Sequence, residues 1–251
     1  MRADETLYIV IPAYNESENI TQVINEWYPQ LELAGPKSRL CIFNDGSKDN
    51  TAEILKDLQP GYSQLDVINK ENSGHGATLI QAYQYALAKG ADYVFQTDSD
   101  GQTLGSEFKP FWEERHEQAF YVGLRSKRED GFSRKVVTTV LRWVIRMSFG
   151  ISLPDANTPY RLMERGALEA CLETMPQDFF LSNVLLLVTA CYRGDSIRYR
   201  EIVFRPRQGG ENSINLKRIF KIGRQSLRSF REARQNLETR YGKPAVRVIK
   251  E

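Results

Sequence analysis

The chain has 251 residues, 41% of them hydrophobic and 26% charged, which suits one large domain with a sizeable core and excludes a disordered chain. A formal charge of +2 is no footprint for bulk nucleic-acid binding, and two histidines and three cysteines leave little material for structural zinc. Cys41, Cys171 and Cys191 are odd in number with no CxxC pair, and read as reduced core thiols of a cytosolic chain.

The first six residues carry acids where a secretory signal needs a basic start, so the expected location is the cytoplasm, not secreted. No run reaches the roughly 18–20 apolar residues of a membrane span. Val136–Leu153 is broken by Arg142 and Arg146, and Phe179–Tyr192 is too short and reads as a buried helix.

Thr6–Pro12 is a β-branched run ending in Pro and predicts a buried strand. Ser17–Leu33 has apolar residues at helical spacing, with Ser17 as its N-cap. Strands are then expected at Arg39–Asn44, Leu65–Asn69, Asp92–Thr97 and Ala119–Gly123, and helices at Asn50–Leu58 and Thr78–Lys89. Arg125–Lys135 reads as a charged loop, Arg134–Phe149 as a helix, Ile197–Phe204 as a late strand and Leu216–Leu237 as a long basic helix. Alternation of strands and helices predicts an α/β fold with a mostly parallel central sheet flanked by helices. Ligands of such sheets sit beyond the carboxyl ends of the strands.

Polar or turn-forming groups follow each of the first four strands. They are Pro12-Ala13-Tyr14-Asn15-Glu16, Asn44-Asp45-Gly46-Ser47 with Asp49 and Thr51, Asn72-Ser73-Gly74-His75-Gly76, and Asp98-Ser99-Asp100-Gly101-Gln102. GxxxxGK[ST] is absent, and after Gly74 and Gly76 the third dinucleotide position is Leu79. Bound phosphates therefore need another anchor. Asp98 and Asp100, alternate residues at a strand end, suit Mg²⁺ or Mn²⁺ joined to substrate phosphates. Singly, Asn-Asp-Gly-Ser also reads as a plain turn, the Asp pair as solvated surface, and Tyr14 and Glu16 as a loop and a first helical turn. Their ordered recurrence at four strand ends favours a site.

This set resembles glycosyltransferase family 2, with the GT-A nucleotide-sugar fold. Within it, Gly123-Leu124-Arg125, Asp155-Ala156-Asn157-Thr158-Pro159-Tyr160-Arg161 and Arg207-Gln208-Gly209-Gly210-Glu211-Asn212-Ser213 are similar to the dolichyl- and polyprenyl-phosphate sugar synthases. The resemblance implies that Pro12, Tyr14, Glu16, Phe43 and Asp45 hold base and ribose. It implies that Asp98, Ser99, Asp100 and Gln102 hold the diphosphate, the metal falling to Asp98, Asp100 and Gln102. Arg125 and Arg134 would face phosphates, and Arg207 would close over the diphosphate. The chain departs from the family pattern at Asn44, His75, Pro159 and Asn212-Ser213.

The expected reaction moves a sugar from a UDP- or GDP-sugar to a polyprenyl phosphate, metal-dependent and, by the resemblance, inverting. Asp100 through its metal and Arg125 would stabilise the leaving diphosphate. A hydroxyl acceptor on a saccharide, glycolipid or protein would need a base, for which Asp155 is the candidate and Asp178 a weaker one. Asp155 could instead position Arg161, and Asp178 could cap the helix from Phe179. A non-catalytic nucleotide-sugar-binding protein is the remaining reading.

From Asn215 onward eleven Lys/Arg face three Glu, so the body is acidic and the tail basic. The expected organisation is a catalytic domain over 1–213 and a basic, amphipathic helical extension over 214–251. That helix could touch the cytoplasmic face of a membrane, dock on the body, or serve a homo-oligomer.

Overall fold

A computed structural model describes residues 5–127, 132–206 and 216–250. Among the described residues eight strands form one sheet: β1 Leu7–Ala13, β2 Arg39–Asp45, β3 Leu65–Lys70, β4 Tyr93–Thr97, β5 Phe120–Lys127, β6 Tyr160–Glu164, β7 Ser196–Val203 and β8 Arg247–Lys250. The α-helices of the described residues are α1 Ile20–Trp27, α2 Thr51–Leu58, α3 His75–Ala88, α4 Phe108–Glu113, α5 Phe132–Phe149, α6 Arg165–Leu172, α7 Ser182–Arg193 and α8 Leu216–Tyr241. The strand order is β3-β2-β1-β4-β6-β5-β7-β8. Every pairing is parallel except the two made by β6, which is antiparallel to both β4 and β5.

Period-two alternation along β1 divides the core. Leu7, Ile9 and Ile11 face a layer built from α1, α2 and α4, through Trp27, Leu55 and Phe108. Tyr8 and Val10 face α3, α6 and α7, and the same layer takes Phe149 of α5 and Phe230 of α8. Both faces are covered, so β1 is buried along its whole length.

The order reverses between β1 and β4, since β2 and β3 lie on one side of β1 and β4 on the other. Loops diverge at such a switch point and leave a crevice beyond the strand ends. Because β4 and β5 are both antiparallel to β6, they point the same way. The C-terminal ends of β1, β2, β4 and β5, and the residues just before β6, therefore share one rim.

Several local expectations are corrected. The helix expected over 17–33 starts at Ile20 and turns 3₁₀ over Tyr28–Leu33, where Pro29 cannot continue the α ladder. Ser17 is not its cap; the Ser17 N–H donates to Asp49 Oδ2 at 3.1 Å, and Asn19 occupies the cap position. β5 runs on through Lys127, into the stretch read as loop. α7 begins at Ser182 after Leu181, so Asp178 caps nothing and sits exposed in the preceding turn. All three cysteines are unbonded and buried.

α8 docks on the body where it is described in full. Phe230, Ala233 and Leu237 are buried, with Phe230 5.1 Å from Phe149 between ring centroids. Among the described residues no helix is long and apolar enough to cross a membrane.

Candidate active site at the sheet rim

The loops after β1 and β2 interlock. Asn15 holds φ +55, a left-handed conformation that Asn tolerates better than most residues. That turn lets the Asn15 N–H reach Ser47 Oγ at 3.0 Å while Asn15 Oδ1 accepts from Lys48 N–H at 2.8 Å. The Glu16 N–H donates to Thr51 Oγ1 at 2.9 Å, and Asn19 Nδ2 donates to Glu16 Oε2 at 2.7 Å. Glu16 is buried, whereas Tyr14 stands 42% exposed on the rim.

Asn44, the departure from the family's acid, has a defined task. Its Oδ1 accepts from Ser47 Oγ at 2.6 Å and Ser47 N–H at 3.2 Å, and its Nδ2 donates to Asn69 Oδ1 at 2.8 Å. It shapes the turn. Asp45 accepts from Lys70 Nζ, from Ser73 N–H at 2.8 Å and from Gly74 N–H at 3.0 Å. Burial alone would raise this carboxyl, but the bonds from Lys70 and Ser73 outweigh it and hold its pKa below the usual value. Lys70 follows from register, since β2 and β3 place it opposite Asp45. Phe43 is 2% exposed and meets Tyr85 edge-on, so its side chain belongs to the core and only its backbone faces the rim.

Beyond β4, Ser99 Oγ donates to Pro12 O at 2.8 Å and ties the loop after β4 to the end of β1. Asp100 Oδ1 accepts from Gln102 N–H at 3.1 Å, a turn that Gly101 completes at φ +68. The Asp98 and Asp100 side chains sit at the mouth of the crevice, neither fully buried nor fully exposed. His75 Nε2 is 4.0 Å from Asp98 Oδ1. Gln102 is buried; its Nε2 donates to Arg205 O at 3.0 Å, and its O accepts from Arg205 N–H at 2.8 Å, tying this loop to the chain leaving β7.

Across the rim, Arg125 Nε donates to Asp155 Oδ2 at 2.9 Å, and the guanidinium lies 5.0 Å over the Phe204 ring. Asp155 is 2% exposed; its Oδ1 accepts from Asn157 N–H at 3.1 Å, and its O accepts from Tyr199 Oη at 3.0 Å. Burial pushes this carboxyl up, but the charge and hydrogen bond of Arg125 override it and leave the pKa lowered. Asp155 thus holds Arg125; Arg161 instead donates its hydrogen bonds to main-chain carbonyls. The Arg134 side chain and Arg207 lie outside the described residues, as do 208–213.

The sequence singled out most of this rim but missed Lys70, Phe204 and Tyr199, whose roles appear only once strands are paired. Gly76, grouped with the rim loops, answers to packing: a Cβ there would lie 2.4 Å from Phe179 O.

The Glycosyl transferase family 2 model matches residues 8–172, from β1 to the end of α6, and so covers the rim loops after β1, β2 and β4 and the Arg125–Asp155 pair. The chain belongs to glycosyl transferase family 2. As a family 2 glycosyltransferase it is 27% identical over 176 residues to the undecaprenyl-phosphate 4-deoxy-4-formamido-L-arabinose transferase of Pectobacterium atrosepticum, covering 69% of this chain and 53% of that protein. It is 27% identical over 195 residues to the UDP-N-acetylglucosamine–dolichyl-phosphate N-acetylglucosaminyltransferase of Methanococcus voltae, covering 69% and 75%. The chain spans about half the length of the Pectobacterium relative. The Mycobacterium tuberculosis glucosyl-3-phosphoglycerate synthase, crystallised with Mn²⁺ and UDP-glucose, superposes with a TM-score of 0.58 at 18% identity, covering 97% of this chain and 81% of that one. That likeness is one of fold: the chain has the GT-A architecture.

Proposed function

We propose that this glycosyltransferase moves a sugar, with inversion, from a nucleoside diphosphate of the UDP or GDP type to a polyprenyl phosphate. The carrying observation is that the Asp98/Asp100 pair and the Arg125–Asp155 pair share one sheet rim. In the proposal, base and ribose lie over Pro12, Tyr14, Glu16 and Asp45, and the diphosphate lies beside Ser99 and Asp100. Arg134 and Arg207 are kept as further phosphate-facing candidates.

The donor set fits a hard divalent cation. Among the described residues no group of three or more His, Cys, Asp or Glu side chains can hold a metal by itself. Two carboxylates leave most of a coordination shell to water and substrate phosphate, as Mg²⁺ and Mn²⁺ prefer and structural zinc does not. Asp98 and Asp100 would hold the ion, with Gln102 chiefly a brace through Arg205. The bound ion would supply positive charge where the diphosphate leaves. Arg125 adds a fixed cation across the rim from that pair, where it would help stabilise the leaving diphosphate.

The acceptor reading rests on Asp155. A carboxylate ion-paired to Arg125 and lowered in pKa is a weak proton acceptor. A hydroxyl acceptor needs a base; a phosphate, largely ionised at neutral pH, does not. The names of the Pectobacterium and Methanococcus relatives, which carry undecaprenyl and dolichyl phosphate, support the same choice.

A lipid acceptor calls for membrane contact. α5 supports it better than the described part of α8, whose apolar residues face the body. Val140, Trp143 and Met147 lie on one α5 face at 50%, 63% and 62% exposure, with exposed Arg142 and Arg146 alongside. Labelled UDP- and GDP-sugars, Mn²⁺ and a short polyprenyl phosphate test the proposal. Transfer that is lost in Asp100→Ala supports it; no transfer to the lipid phosphate with transfer to a hydroxyl acceptor overturns it.

A further inference from the structure

Arg161 lies in β6 and has no exposed surface. Its Nε and Nη2 donate to Thr158 O at 3.2 and 2.7 Å, Nη2 also to Ala156 O at 3.3 Å, and Nη1 to Asn183 O at 2.9 Å. All of these acceptors are main-chain carbonyls. None of its partners among the described residues is a carboxylate in contact. A guanidinium removed from water without a contact anion is costly, and carbonyl dipoles offset only part of that cost.

Register shows where the charge acts. Arg161 pairs with Gln96 across β4 and β6, so the two side chains share a sheet face. Asp98 is two residues beyond Gln96, in phase with it at the rim. The Arg161 bond to Ala156 O sets it beside the Asp155 segment; burial lowers the Arg161 pKa, and the charges of Asp155 and Asp98, one on each side of the crevice, act against that. Tyr83 and Tyr199, its other electrostatic neighbours, have phenols pushed far up by burial and carry no charge. The cation therefore faces the site's acids from below.

We infer that Arg161 is a built-in counter-charge for the diphosphate, acting through its field from beneath the rim rather than by contact. The inference rests on the proposed function, since it needs a diphosphate and a cation at that rim. It has a signature that a packing role lacks. A fixed positive charge attracts the diphosphate and repels the metal, so removing it moves the two affinities in opposite directions. Loss of packing lowers both.

Calorimetric titration of the full chain with Mn²⁺ alone, and with UDP alone in a chelator, separates these outcomes. Arg161→Gln keeps donors for the carbonyls and drops the charge; Arg161→Lys keeps the charge and drops the fork. Arg161→Gln is expected to weaken UDP about tenfold and to tighten Mn²⁺ severalfold, shifts of opposite sign that loss of a fixed positive charge produces. Arg161→Lys is expected to stay within about threefold of wild type for both, and carries the test by itself if the glutamine variant does not fold. Both ligands weakening together in Arg161→Gln, or Arg161→Lys losing UDP, overturns the inference while leaving the function intact. A wild-type chain that binds neither ligand overturns the function as well.

Discussion

Arg125 and Asp155, on different segments of the chain, form one ion pair at 2.9 Å with the carboxylate 2% exposed. Each explains the other: the carboxylate is ionised because the guanidinium is there, and the guanidinium is aimed because the carboxylate cannot move. Breaking a buried pair from one side leaves an unpaired charge, at a cost of about 3–5 kcal/mol.

Arg125→Met should therefore show a stability deficit that depends on pH. In the wild type the lowered Asp155 pKa contributes stability above the ordinary carboxylate value near 3.8, lost as pH falls through the folded value. In the variant the charge and hydrogen bond of Arg125 are gone, so the Asp155 pKa lies above its wild-type value. The deficit in urea unfolding should be largest near neutrality and shrink as Asp155 becomes protonated. A deficit equal at pH 4 and pH 8 contradicts the ion-pair reading.

Asp49 offers a second pH test, away from Arg125. Burial raises its pKa, but the Thr51 hydroxyl and the Ser17 segment override this and hold it at about 2. Its stabilising contribution should be complete above about pH 4 and fade toward pH 2. Asp49→Asn should be less stable than wild type at pH 6, with the gap closing over that acid range in thermal unfolding. A gap that persists unchanged at pH 2 argues against it.

Gly76 lies under the turn that precedes α7. A Cβ would meet Phe179 O at 2.4 Å and Phe180 O at 2.7 Å, both backbone atoms that cannot swing aside. Gly76→Ala should cost about 1–3 kcal/mol, read as a Tm drop of about 2–4 °C per kcal/mol. An unchanged Tm means that α3 and this turn are farther apart.

The exposed α5 face predicts lipid binding. Trp143→Ser with Met147→Ser should reduce co-sedimentation with vesicles containing anionic lipid, while Mn²⁺-dependent UDP binding stays at the wild-type level. Equal sedimentation of variant and wild type removes α5 as the contact.

The first four strands were legible because each is a continuous apolar or β-branched run closed by turn chemistry, as in Ile11-Pro12 or Asn44-Asp45-Gly46. β6 was not: Arg161 interrupts a short strand, and a charged residue at zero exposure has no local signature. β8 was missed because four residues cannot announce a strand without the β7 edge they pair with. At the site, the sequence could pick out Asp155 and Arg125 as candidates but could not pair them. Their meeting depends on β5 and β6 being adjacent, which strand spacing along the chain does not reveal. Lys70 stayed hidden for the same reason.

The central claim is that Asp98 and Asp100 hold the cation that grips a diphosphate. Calorimetric titration of UDP with and without Mn²⁺, on wild type, Asp98→Asn and Asp100→Asn, tests it most directly. The expected result is wild-type UDP binding strengthened at least tenfold by Mn²⁺, with that gain abolished in both variants. UDP affinity that ignores Mn²⁺ in the wild type, or a metal-dependent gain that survives in both variants, contradicts the claim.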